Sequence, residues 1–364
     1  MSLKCGIVGL PNVGKSTLFN ALGSAKADSA NYPFCTIEPN VGITNVPDDR
    51  LEEISNLVHP EKTTSAVVQI VDIAGIVKGA SKGEGLGNQF LSHIREVDAI
   101  IHLVRCFVND DIVHVDGSVD PERDIEVINT ELILADMQST QKKLEREQKN
   151  IKSGNKDSLK MVEILKNLLA HLDSGNPART FELEEKDRPL LVPLFLLTNK
   201  PVLYVANTSL TEAEKPLVEK ARQIAEREGA EFLTLDCGLE SEIAVLPEEE
   251  RQEYLAAMGL EKPGLYRFIR SAFALLGLIT YYTVGKKEVR AWTIDAGTKA
   301  PGAAGVIHSD FERGFICAEC YKSEDLIRLG SEQKVKEAGL FRQEGKEYVV
   351  QPNDVLLFRF NVSK

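Results

Sequence analysis

The 364-residue sequence predicts an α/β chain. A domain on a parallel sheet carries an inserted antiparallel helical arm and is followed by a small mixed β domain. Three observations carry this prediction. The apolar run Cys5-Gly6-Ile7-Val8 passes through the glycine turn Gly9-Leu10-Pro11-Asn12-Val13-Gly14 into helix-like Lys15 to Leu22. Apolar strand-like runs recur at 65–72, 98–105, 201–207 and 230–236, but 121–172 instead shows apolar residues at spacings of 3 and 4. From about Ile279 the pattern changes to short alternating segments separated by turns, among them 288–294, 314–319, 347–350 and 355–360. The expected boundaries are 1–120 and 199–278 for the two parts of the first domain, 121–198 for the arm and 279–364 for the terminal domain.

The first turn matches G-x-x-x-x-G-K-[ST] at every fixed position, between a strand and a helix, which is the context a P-loop needs. The glycines let backbone N–H groups turn inward round a di- or triphosphate, and the new helix offers its positive end to the same anion. Lys15 is placed to reach the β- and γ-phosphates, and Ser16 to bind Mg²⁺. Further along, the proline-punctuated stretch Asn31 to Asn40 reads as a loop. P-loop switches take from a loop at this distance a threonine that completes the Mg²⁺ shell, and Thr36 fits. The 65–72 run ends in Asp72-Ile73-Ala74-Gly75, where Asp72 can hold Mg²⁺ through water and the Gly75 N–H can meet the γ-phosphate. The next residue is Ile76, a hydrocarbon that cannot orient water. Glycine-dense 79–88 is pliable, as suits a segment ordered by ligand.

In the arm, Ile125, Ile128, Leu132 and Ala135 repeat on one segment and Met161, Leu165, Leu168 and Leu172 on the next, with Ser153-Gly154-Asn155 as the turn. Near the tip, Lys142, Lys143, Arg146, Lys149, Lys152, Lys156 and Lys160 outnumber Glu145, Glu147 and Asp157. This is either a solvated tip or a functional basic patch.

The net charge of −12 argues against a general nucleic-acid coat, and no DNA partner is expected. The longest charge-free apolar stretch, around Ser271 to Gly285, is too short to span a bilayer. With the first residues passing straight into the P-loop strand, a soluble cytoplasmic protein is expected. The six cysteines are scattered, and Cys317-Ala-Glu-Cys320 has no second pair beside it, so ordinary thiols are expected.

A Ras-type guanine site needs N-K-x-D, whose Asp accepts from guanine N1–H and the 2-amino group. Asn199-Lys200-Pro201-Val202 has valine in the Asp position and precedes its strand; Asn207-Thr208-Ser209-Leu210 lies at the strand end but has leucine there. Losing two such hydrogen bonds removes the main preference for guanine, since each unpaired polar group costs about 1–3 kcal/mol. ATP is therefore expected over GTP, with the Asn207 amide offering adenine both a donor and an acceptor.

The chain resembles the Obg-like ATPases of the YchF type. The resemblance rests on Gly9 to Thr17, Asn31-Tyr-Pro-Phe-x-Thr-Ile-Glu-Pro39, Asp72-Ile-Ala-Gly75, Gly79 to Gly87, Glu288-Val-Arg-Ala-Trp292 and His308-x-Asp-Phe-Glu-x-Gly-Phe315. It implies a G-type domain, the inserted arm and a C-terminal TGS (ubiquitin-like) domain. It also implies Mg²⁺-dependent ATP hydrolysis and ribosome association, with rRNA or ribosomal-protein contacts through the basic arm and TGS domain. Carried over by position, Asn12, Val13, Gly14, Lys15, Ser16 and Thr17 hold the phosphates. Ser16 and Thr36, with Asp72, serve Mg²⁺, and Asn207 with Thr208 lines the adenine. The family usually has an acid where this chain has Leu210. A histidine on a mobile loop is proposed in this class to replace the water-orienting Gln that Ras-like enzymes have where this chain has Ile76, and His114 or its rival His93 would join Lys15 and Gly75. Asn12 resembles a P-loop asparagine that holds K⁺. Two other functions stay open, a GTPase of conventional specificity and a nucleotide-binding scaffold without turnover.

Overall fold

A computed structural model describes residues 3–24, 40–73, 86–152 and 157–361. The chain runs β1 (Lys4–Val8), α1 (Lys15–Ser24), β2 (Val41–Asn45), α2 (Asp49–Val58), β3 (Lys62–Thr64), β4 (Val67–Asp72), α3 (Leu86–Arg95) and β5 (Ala99–Arg105). The arm follows as α4 (Pro121–Lys152) and α5 (Asp157–Asp173). Next come β6 (Val202–Asn207), α6 (Lys215–Arg227), β7 (Glu231–Leu235), α7 (Cys237–Val245), α8 (Glu248–Ala257) and α9 (Gly264–Leu275). The terminal part is β8 (Leu278–Val284), β9 (Glu288–Asp295), α10 (Ala300–Ile307), α11 (Ser309–Arg313), β10 (Phe315–Lys322), α12 (Ser323–Leu329), α13 (Glu332–Glu337), β11 (Arg342–Glu344) and β12 (Asp354–Phe360). Contacts divide the described residues into two compact units. One falls within Met1–Ser24, Ile37–Gly42 and Gln69–Phe268, the other within Ala25–Thr36, Ile43–Val68 and Ile269–Lys364.

In the first unit the strand order is β2-β4-β1-β5-β6-β7, and β4, β1, β5, β6 and β7 are parallel. β5 and β6 are buried at every residue, as a sheet covered on both faces requires. The register pairs Ile7 with Asp72, Val8 with His102 and Arg105 with Asn207, and Asn207 in turn with Leu235. The carboxyl ends of five strands thus share one edge, where open α/β sheets bind ligands.

The arm forms as its spacing predicts. Ile125, Ile128, Leu132 and Ala135 of α4 are buried, as are Leu165, Leu168 and Leu172 of α5. Ile133 shares a cluster with Leu168 and Leu172, while nearer the turn Ser158 donates to Glu147 at 2.7 Å, so the two helices run antiparallel. At 32 residues α4 is roughly 48 Å long. Midway along, it is clamped by buried Asp136, which accepts from Leu197 N–H and Thr198 N–H at 2.8 Å and from the Thr198 hydroxyl at 2.6 Å. A second clamp joins Arg179 and the Tyr204 hydroxyl to Glu228.

The second unit holds a mixed sheet in the order β11-β10-β12-β8-β9-β3. Tyr281, Ile294, Ala303, Phe315, Ala318, Leu356 and Phe358 form its core, with Trp292 packed against it and bonded through Nε1 to the Thr283 hydroxyl. Two expectations change here. The polar tripeptide Lys62–Thr64, assigned by sequence to the first domain, pairs in parallel with Glu288 to Arg290, and 43–68 groups with this unit. Three polar residues carry no local strand signal; only the distant partner makes them one. Residues 347–350, expected as a strand, form just the isolated bridge between Val349 and Lys299. The buried free thiols of Cys317 and Cys320 lie an odd number of residues apart on β10 and face opposite sides of the sheet.

Candidate nucleotide site

β1 ends at Val8 and α1 begins at Lys15, so the six residues between them must turn sharply at the sheet's carboxyl edge. Asn12 and Gly14 take positive φ values of 62° and 101°. A Cβ at Gly14 would stand 2.5 Å from Asn207 Nδ2, and one at Gly9 2.6 Å from the Leu103 carbonyl, so both positions require glycine. Lys15 Nζ is buried and donates to the Gly9 and Leu10 carbonyls at 2.9 and 2.7 Å, leaving the third of its ammonium donors for an anion. Burial pushes Lys15 down to about 8, opposed by the nearby Asp72 carboxylate. Burial likewise raises Asp72, with Lys15 opposing.

One Asp72 oxygen is buried without a hydrogen-bond partner. With the exposed Ser16 hydroxyl at the start of α1, the oxygen donors are of the hard type that Mg²⁺ prefers, and an unsatisfied buried carboxylate oxygen fits a cation. Thr36, Gly75 and Ile76 lie outside the described residues.

Beside the P-loop opens a cleft of about 380 Å³, within the size range of small-molecule sites. Asn12, Gly14 and Thr17 form one side, Asn207, Ser209, Asp236, Cys237 and Gly238 another, and Phe107, Asn109 and Ile112 the third. Asn207 is buried at the end of β6, its Nδ2 donating to the Val13 carbonyl at 2.9 Å and its Oδ1 accepting from Cys237 N–H at 3.0 Å. It ties the P-loop to the start of α7. Each amide end keeps capacity for one further bond. Thr208 is fully enclosed and donates to Glu214, while Leu210, at φ 56°, is exposed. Asp236 caps α7 by accepting from Leu239 N–H at 3.0 Å.

His114 is buried. Its Nδ1 accepts from Asp116 N–H at 3.1 Å, so its proton sits on Nε2, 2.9 Å from Asp124 Oδ2. Both ring nitrogens are thus engaged within the loop and the start of α4. His93, the rival, lies in a separate cleft with Asp72.

A model of the 50S ribosome-binding GTPase domain matches residues 4–167, and one of the YchF-type GTPase C-terminal domain, described as a protein of unknown function, matches 278–361. The chain is 56% identical to the ribosome-binding ATPase YchF of Bacillus subtilis and 52% identical to that of Haemophilus ducreyi, with complete coverage of both chains in each case. The solved structure of the Schizosaccharomyces pombe YchF GTPase superposes with a TM-score of 0.88 at 37% identity, covering 98% of each chain. The chain belongs to the YchF family. Its G-type domain and C-terminal domain are those of YchF proteins.

Two residues that sequence reasoning missed organise this YchF site. Glu214, just before α6, accepts from Val108 N–H, the Thr208 hydroxyl and Ser209 N–H at 3.1, 2.8 and 2.9 Å, fixing the loop after β6. Burial pushes its pKa up, but these donors outweigh burial and hold it below the usual carboxylate value. Arg105, buried at the end of β5, donates to the Phe107, Asn109 and Ile112 carbonyls, with its guanidinium 4.4 Å from the Phe107 ring centre. The only sequence signal was a charged residue ending an apolar strand.

Proposed function

We propose that this chain is a Mg²⁺-dependent ATPase that works as a conformational switch on the ribosome. The observation that carries the reading is the P-loop with its buried Lys15 beside a carboxylate oxygen left unpartnered at Asp72. The names of its relatives in Bacillus subtilis and Haemophilus ducreyi support hydrolysis and ribosome binding. In this reading Asn12 to Thr17 hold the phosphates, and Ser16, Thr36 and Asp72 hold Mg²⁺, which supplies charge neutralisation at the terminal phosphates. The Gly75 N–H meets the γ-phosphate. His114 leaves Asp124 to orient the attacking water, and Asn12, whose Nδ2 donates to the Val113 carbonyl, offers its Oδ1 to K⁺.

ATP is the proposed nucleotide, although the fission-yeast relative is titled a GTPase. Guanine presents paired N1–H and 2-amino donors that need a free two-oxygen acceptor. Leu210 offers none, and Asp236 caps the start of α7, where its acceptance from Leu239 N–H fixes the orientation of its carboxylate. Adenine needs only single partners for its amine and ring nitrogen, which Asn207 can supply.

Binding is expected to consume protons. An anionic phosphate favours charged Lys15, whose pKa of about 8 then rises, so near pH 8.5 the calorimetric enthalpy should vary with buffer ionisation enthalpy. Affinity should fall as pH climbs past 8. Buffer-independent enthalpy would contradict the role of Lys15.

Ribosome binding is assigned to the arm and the terminal domain, which we read as a TGS domain. On the arm Lys143 is paired with Glu147 and Lys160 with Asp187, whereas Lys142, Arg146 and Lys149 form no ion pair among the described residues and follow one another at helical spacing. Replacing these three by Glu should weaken co-sedimentation with ribosomes, most strongly at low salt. Unchanged pelleting would leave them as a solvated face.

A further inference from the structure

The loop after β5 exposes four apolar side chains, of which only Ile112 lines the cleft beside the P-loop. Val108 is 56% exposed, Ile112 38%, Val113 73% and Val115 51%. Four such residues fall within eight positions, a local concentration unlike scattered surface hydrophobics. Asp110, Asp111, Asp116 and Asp120 stand among and just beyond them, with no Lys or Arg between Cys106 and Glu122. Asp116 lies 3.6 Å from Arg123 and Asp120 3.4 Å from Lys220, while Asp110 and Asp111 have no ion pair among the described residues.

The loop is also fastened to the nucleotide site at three points. Arg105 holds three of its carbonyls from beneath, Glu214 accepts from Val108 N–H, and the Asn12 side chain donates to the Val113 carbonyl at 3.1 Å. A body seated on Val113 or Val115 bears directly on the P-loop.

We infer that residues 108–115 dock a basic protein segment carrying apolar side chains, and that this contact passes partner binding to the nucleotide site. The inference rests on the ribosome-binding reading above and names the chemistry of one contact within it. Charge selects the partner class: Asp110 and Asp111, the two carboxylates without an ion pair among the described residues, repel RNA phosphates and attract lysine and arginine, while the valines need apolar surface to cover them. The acidic loop and the basic arm are therefore suited to different components of one particle.

A photo-crosslinking p-benzoylphenylalanine at Val115, in the full chain with purified 70S ribosomes and ATP, tests this. The label should appear on a ribosomal protein. The Asp110→Lys, Asp111→Lys double variant should keep its melting temperature, lose the label and pellet about tenfold more weakly at low salt, a difference that shrinks as salt rises. Label on rRNA or on a second copy of the chain overturns the inference, as does normal pelleting without label. Failure of the unaltered chain to pellet overturns the ribosome reading itself, and the inference with it.

Discussion

Replacing Lys15 by alanine should abolish nucleotide turnover while leaving the fold intact. Its ammonium lies against two P-loop carbonyls with one donor to spare, at the place proposed for the β- and γ-phosphates. Deleting one preorganised charge at a developing anion costs roughly 10²–10³-fold in rate, and here the same charge also serves binding. The effect on stability has a separate sign. Burial holds Lys15 at about 8, below its ordinary value, so at pH 7 its charge opposes folding and its removal relieves that cost. The melting temperature is thus expected to hold while turnover disappears. Turnover within a few-fold of the parent would remove the phosphate assignment.

Arg105→Met should act through both stability and affinity. The side chain is almost fully buried, and its loss leaves the Phe107, Asn109 and Ile112 carbonyls without their partner. Hydrogen bonds from a charged donor contribute about 1.5–3 kcal/mol each, but three made by one group do not add fully, so a loss of about 3–5 kcal/mol is expected. Because this loop walls the cleft and meets the P-loop through Asn12, nucleotide affinity should fall about tenfold as well. Denaturant melts and calorimetry on the same preparation separate the two. Arg105→Lys, which keeps the charge but not the fork, should fall between them. Parental stability in Arg105→Met would mean that the three carbonyls find other partners.

The contrast between these residues shows what a sequence makes legible. Lys15 was readable because its meaning is local: two glycines, a lysine and a serine at fixed spacing can do little else between a strand and a helix. The arm was readable for a similar reason, since a spacing of 3 and 4 reports a buried helical stripe. Arg105 and Glu214 were not: Arg105 holds carbonyls only two to seven residues further on, but the loop path that turns them toward it leaves no residue-type signal, and Glu214 gains a partner that only the folded sheet brings near. Glu214 reaches Val108, 106 residues earlier in the chain. The same applies to Lys62–Thr64, whose partner strand begins at Glu288. His114 is the intermediate case. Its residue type suggested proton chemistry, but its neighbours Asp116 and Asp124 occupy both ring nitrogens, and only the fold reveals that. Asn207 reads from sequence as a base contact, and the fold gives it a task that sequence did not reveal, tying Val13 to Cys237.

The base decides which nucleotide the switch obeys. Isothermal titration of the purified chain with MgATP and MgGTP, under one buffer and salt, addresses it most directly. ATP should bind at least about tenfold tighter, the worth of one hydrogen bond that guanine leaves unpaired. GTP binding tighter than ATP would contradict the reading of Leu210 and Asp236.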